Sequence, residues 1–111
     1  MKTYTIDFRN VRHFSEVHAT IAEGLEFPDY YGGNWDAFWD CLSTEMDLSE
    51  PFLIEIFGLE VIEQNYPDYA KKMLEILKKF KYYWDDAFPN EHLSDDIRIE
   101  TVKGDQRIAI V

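Results

Sequence analysis

Two carboxylates in this sequence are spaced so that their side chains could act together in binding or catalysis. Asp36 and Asp40 lie four residues apart in a segment patterned as a helix, so both side chains project from one side of it. No Lys or Arg lies close in sequence to offset their mutual repulsion. Such a pair could bind a basic partner, serve as the acid and base of a small hydrolase, or belong to a solvated face.

The other reactive residue types predict no reaction centre. The sequence has no glycine-rich phosphate loop, no nucleophile elbow and no histidine pair at zinc-binding spacing. Cys41 lacks a basic neighbour in sequence, so we expect an inert, partly buried thiol. Two carboxylates are too few for calcium, which takes about six or more oxygens. We therefore expect no cofactor and no metal, and a hydrolase is a minor alternative.

Composition favours one small acidic domain. The 111 residues include 22 Asp and Glu against 11 Lys and Arg, a net charge of −11 that disfavours direct binding to nucleic acid or an anionic membrane. The segment 13–70 has 13 acidic residues and no Lys or Arg. That half of the chain is either a solvated surface or a face for a basic partner. One cysteine and no apolar leader are typical of a cytoplasmic protein.

Hydrophobic periodicity predicts the elements that position the carboxylates. Residues 2–8 alternate as a strand, and Ser15 is expected to cap a first helix. Residues 30–33 form a turn, after which Asn34 is expected to cap a second helix. The apolar sets are Phe14, Val17, Ile21 and Leu25 in the first helix, and Trp35, Phe38, Trp39 and Leu42 in the second.

The second half of the chain repeats this order. Residues 52–57 form an apolar run, predicted to be a strand covered on both faces, and two helices follow, the second entered at Pro67. An acidic loop is expected over 85–96 and a hairpin over 97–111. Strands separated by helices favour a parallel sheet, so we predict a small α/β domain of two or three layers.

The segment before and within the second helix resembles the barstar family, intracellular inhibitors of the ribonuclease barnase. The similarity runs back without gaps through the helix containing His18 and Thr20, and continues more loosely through 52–57 and 71–81. The residues that carry it follow Pro28 and read Tyr30-Tyr31-Gly32-Gly33-Asn34-Trp35-Asp36-Ala37-Phe38-Trp39-Asp40-Cys41-Leu42.

The resemblance implies an α/β fold with a small three-stranded parallel sheet and helices packed on it, to which the C-terminal hairpin could add an edge strand. It implies a single domain over 1–111, with an extension outside the family pattern from about residue 85 onward. The implied activity is inhibition, in which the second helix and its preceding turn plug a nuclease active site. The implied partner is a basic ribonuclease, and the free chain is expected to be a monomer and not an enzyme.

The resemblance also implies which residues bind. Asp40 matches the carboxylate that stands where a substrate phosphate would lie, Asp36 matches a second acidic contact, and Tyr30 matches an aromatic one. Positions in or beside the implied interface are Gly32, Tyr31, Asn34, Trp39, Ser43 and Thr44.

Several departures leave the target open. The loop 43–50 is longer than the family pattern, and Thr44 and Glu45 replace a glycine and an aromatic residue. An acidic contact on the family's fourth helix aligns with Lys78 or Lys79. The leading hypothesis is an inhibitor or immunity partner of a basic ribonuclease. The alternative is an acidic module or adaptor that neutralises a different basic toxin or partner.

Overall fold

A computed structural model describes residues 1–110. None of the helices in this range is both long enough and apolar enough to cross a bilayer. The elements are β1 (Lys2–Asp7), α1 (Glu16–Gly24), α2 (Trp35–Glu45), β2 (Phe52–Phe57), α3 (Leu59–Asn65), α4 (Pro67–Ala87), the short 3₁₀ helix η1 (Leu93–Asp96), β3 (Ile97–Lys103) and β4 (Gln106–Ala109).

The four strands form one mixed sheet in the order β1-β2-β3-β4. β1, β2 and β3 are parallel, in a register that places Tyr4 beside Ile54 and Ile54 beside Ile99. β4 returns antiparallel to β3 and forms one edge of the sheet. The predicted three-stranded parallel sheet with an added C-terminal edge strand is therefore confirmed.

The core lies on one face of the sheet. Side chains of alternate strand residues, including Ile6, Ile54 and Ile99, pack with the buried sides of the helices. The other face is partly polar: Arg107 from β4 pairs there with Glu55 at 2.8 Å and lies 3.7 Å from Glu100, whereas Leu53 on the same face is buried. No residue of 52–57 is exposed, as expected for a strand covered on both faces, although polar side chains supply part of the cover on this second face.

The start of α1 differs from the sequence-based prediction. The Ser15 side chain makes no capping bond to the helix, and its hydroxyl lies 2.8 Å from Nδ1 of His13. Phe14, expected on the inner side, is 51% exposed. It precedes the helix, so the helical period does not apply to its side chain. Val17 and Ile21 are fully buried as predicted.

The C-terminal strands are tied to α4 by a polar cluster. Asp85 accepts hydrogen bonds from the backbone N–H of Ser94 at 3.0 Å and from its hydroxyl at 2.5 Å. Nζ of Lys81 donates to the carbonyl of Ser94 at 2.7 Å and also to that of Ile97. The acidic loop predicted over 85–96 is thus shorter than expected, because α4 continues to Ala87 and η1 occupies 93–96.

Gly58 allows the chain to leave β2 and enter α3 directly. Its φ of 73° lies in the left-handed region that favours glycine. A Cβ atom there would come within 2.6 Å of the backbone nitrogen of Arg9. The end of β2 and the segment after β1 therefore approach more closely than any side chain permits.

Replacing Gly58 with alanine should lower the free energy of unfolding by more than about 2 kcal/mol, because strain at positive φ adds to a backbone clash. Gly104→Ala is the matched control: its φ is 58° and nothing lies within 4 Å of the added Cβ, so only the strain remains. We expect that control to lose about 1 kcal/mol in urea denaturation. Equal losses in the two variants would show that the close approach is unimportant.

The Asp85–Ser94 contact should make stability depend on pH. Hydrogen bonds from the Ser94 hydroxyl and backbone lower the pKa of Asp85. The folded chain therefore binds fewer protons at this group than the unfolded chain, and its contribution to stability is present above the unfolded pKa and lost as pH falls through the folded one.

Asp85→Asn should therefore lose less free energy of unfolding than the wild-type chain when pH is lowered from about 5 to about 2. Urea denaturation across that range measures the difference. Asp86→Asn is the control, since Asp86 is the exposed neighbour on the same helix and Ser94 does not bond to it. If Asp85→Asn kept the full acid loss, the contact would not contribute.

Candidate functional site

The start of α2 is fixed by a side-chain cap, as the sequence predicted. Asn34 is extended, with φ −137° and ψ 172°, and its Oδ1 accepts a hydrogen bond from the backbone N–H of Ala37 at 2.8 Å. Gly33 before it has a φ of 67°, which turns the chain into the helix. Together these residues define the direction in which α2 leaves the turn.

A partly buried hydrogen bond anchors the turn to α1. The Tyr31 hydroxyl lies 2.6 Å from Nδ1 of His18, and the His18 ring packs 4.3 Å from that of Trp35 between ring centres. Burial raises the pKa of Tyr31 and lowers that of His18, so both groups are held in their neutral forms near pH 7. Tyr31 thus stabilises the turn from the side that faces α1.

Tyr30 points away from the core. Its side chain is 74% exposed, and its hydroxyl donates a hydrogen bond to the carboxylate of Glu45 near the end of α2. That bond to an anion raises the pKa of Tyr30. The turn is therefore linked to both ends of α2, and an aromatic ring stands free at its edge.

The exposed strip of α2 carries the two carboxylates. Asp36 and Asp40 are both exposed, and neither forms an ion pair within residues 1–110. Ser43 and Thr44 continue the strip, but their hydroxyls donate to helix carbonyls at 2.8 Å and 2.7 Å. Gly32 is exposed in the turn that leads to the strip. The nine residues implied as binding positions thus lie in one continuous segment.

A cleft of about 420 Å³ separates this strip from α4. Trp39 is half-buried and lines the cleft, with its ring perpendicular to that of Tyr83 at 5.4 Å between ring centres. Lys79 extends across it and places Nζ 4.4 Å from the centre of the Trp39 ring. Lys72 lines the same cleft one heptad earlier on α4.

The sequence analysis missed these lysines as neighbours of the carboxylates. Both lysines are exposed on α4, and they share a cleft with Asp36 and Asp40. Helical periodicity identifies an outward lysine without showing which helix lies beside it. Only the packing of α2 against α4 brings opposite charges into one cleft.

Other features offer little for catalysis. Cys41 is buried, and burial raises the pKa of its thiol, which disfavours the reactive thiolate. No group of three potential metal ligands occurs among the described residues. A larger groove of about 600 Å³ lies beside α1 and is lined by His18 and Tyr31, but it does not include the carboxylate pair.

Comparison of the sequence with known proteins identifies its family. The model of the family described as Barstar (barnase inhibitor) matches residues 1–97. The chain belongs to the barstar family. This barstar-family chain is also 33% identical over 88 residues to a Bacillus subtilis (strain 168) protein named "Putative ribonuclease inhibitor YrdF". The aligned region covers 79% of this chain and 94% of that protein.

Loss of the Asn34 cap should destabilise α2. Asn34→Ala removes the acceptor for the Ala37 N–H and is expected to lower the free energy of unfolding by about 1 kcal/mol. Asn34→Asp keeps an acceptor of the same length and should remain close to wild type. Urea denaturation of both variants tests this, and equal losses would argue against a capping role.

Proposed function

We propose that this barstar-family chain inhibits a basic ribonuclease by inserting the exposed strip of α2 into the enzyme's active site. One observation carries the proposal: Asp36 and Asp40 project into solvent from a capped helix, without ion pairs in the described residues, beside the exposed ring of Tyr30. Membership of the barstar family and similarity to a protein named as a ribonuclease inhibitor support it.

The chemistry of the target explains why a carboxylate can inhibit it. A ribonuclease must hold a phosphate group, and arginine and lysine side chains do this through charged hydrogen bonds. A carboxylate offers oxygen acceptors of similar geometry, so Asp40 can occupy the phosphate position without being cleaved. Asp36 supplies a second charge, and Tyr30 an aromatic surface beside it.

Rigidity makes this substitution favourable. The Asn34 cap and the Tyr31–His18 contact hold the turn and the first residues of α2 before any partner arrives. Less conformational entropy is then lost on binding. The repulsion between Asp36 and Asp40, which is uncompensated by an ion pair in the free chain, is relieved when cations approach them.

The charge distribution favours fast encounter with a basic enzyme. The net charge is −11, and the segment 13–70, which contains the turn and α2, has no Lys or Arg. Opposite fields steer two proteins together at low salt. In this role the chain is a binding protein and not an enzyme, and it would protect a cell against a nuclease toxin.

The proposal is tested by measuring RNA cleavage. Barnase and a panel of other basic bacterial ribonucleases are each titrated with the chain, using a fluorogenic RNA substrate. We expect stoichiometric inhibition of at least one enzyme, which excess RNA substrate relieves. If no ribonuclease in the panel is inhibited while an unrelated basic protein is bound, the acidic-adaptor alternative is favoured.

Asp40→Ala should weaken binding to the inhibited enzyme by at least about 2 kcal/mol, because a central charged contact leaves its partner cations unpaired. Glu63→Ala removes the same charge from the exposed side of α3 and should change the affinity little. Stopped-flow association should also slow as salt increases. Equal effects of the two substitutions would contradict the role of Asp40.

A further inference from the structure

The cleft between α2 and α4 has walls of opposite charge. Asp36 and Asp40 line it from α2, whereas Lys72 and Lys79 line it from α4. Its volume of about 420 Å³ is open to solvent at residues that are themselves exposed. A partner that covers the α2 strip therefore also meets the lysines.

The charges of the two walls do not neutralise one another. Within residues 1–110, neither lysine forms an ion pair with a carboxylate of α2 or with Glu75, which lies between them on α4. All four charged groups therefore keep unused hydrogen-bonding capacity in the free chain. A partner that presented only cations would satisfy the aspartates and be repelled by the lysines.

Lys79 is the better positioned of the two lysines. Its ammonium lies 4.4 Å from the centre of the Trp39 ring, and the Trp39 ring packs in turn perpendicular to that of Tyr83. Attraction between a cation and an aromatic face restricts where a flexible lysine side chain lies. The charge is thereby held over Trp39, which directly precedes Asp40 in sequence and lies about one turn of α2 after Asp36.

We propose that Lys79 is a specificity-determining residue that binds an acidic side chain of the inhibited ribonuclease, located beside the basic residues that bind Asp36 and Asp40. This inference rests on the proposed function and adds the chemistry of the partner's surface. The enzyme that fits this chain carries a carboxylate at the rim of its basic active site. A uniformly basic rim is disfavoured.

Charge reversal at Lys79 distinguishes an enzyme with an acidic rim from one with a uniformly basic rim, because the two predict opposite changes in affinity. The probe is the ribonuclease that the wild-type chain inhibits most strongly in the panel that includes barnase. If an acidic group faces Lys79, Lys79→Glu should lower the affinity at least tenfold, because two carboxylates then oppose each other. If the rim is uniformly basic, the same substitution should strengthen binding, and the inference is overturned.

Lys71→Glu is the matched control. Lys71 is an exposed lysine on the same helix that does not line the cleft, so its variant makes the same charge change outside it. We expect less than a threefold effect on affinity. Lys79→Arg keeps the positive charge and can still lie over the Trp39 ring, so it should lose much less affinity than Lys79→Glu. Equal losses in the Lys71 and Lys79 variants would also overturn the inference.

Two further measurements keep the outcomes distinct. Thermal unfolding shows whether the Lys79→Glu variant is folded. If that variant does not fold, Lys79→Met replaces it in the binding measurement, since methionine keeps an apolar chain over Trp39. Lys79→Met should still lose affinity if the charge itself binds. Loss of binding in Asp40→Ala together with tighter binding in Lys79→Glu would retain the proposed function and refute the inference, whereas a wild-type chain that inhibits no ribonuclease would refute both.

Discussion

The fixed orientation of α2 is the constraint on which the proposed interface depends. Phe38 and Leu42 are fully buried, so rotation of the helix about its axis would expose core side chains. The Asn34 cap sets where the helix begins, and the Tyr31–His18 contact ties the preceding turn to α1. With these three restraints, the opposite side of α2 must present Asp36 and Asp40 to water.

This arrangement is unfavourable for the isolated chain in one respect. Two like charges four residues apart cost a helix roughly 0.2–0.5 kcal/mol, and no described residue pairs with them. By contrast, Glu55 and Glu100 on the polar face of the sheet are paired with Arg107 and Arg98. Carboxylates are thus compensated on the sheet and uncompensated on α2. An uncompensated pair of like charges on a helix is locally unfavourable, and such unfavourable features are often found at functional sites.

The second half of the chain supplies both the support and the selectivity of the site. β3 completes the parallel sheet between β2 and β4, and Lys81 and Asp85 tie its approach to α4. The same helix carries Lys79 into the cleft beside Trp39. A helix that buries Met73 and Leu77 against the core therefore also defines one wall of the proposed interface.

Sequence reasoning predicted the strands, α2 with its Asn34 cap, the parallel order of the sheet and the outward position of Asp36 and Asp40, because these follow from period, capping chemistry and chain connectivity. It was wrong for Phe14, which precedes α1 and so lies outside its helical period, and for the end of α4, which continues into the expected loop. Tertiary structure alone decided that Lys72 and Lys79 oppose the aspartates. Periodicity shows which side of a helix is exposed, but the packing angle between two helices determines what that side faces.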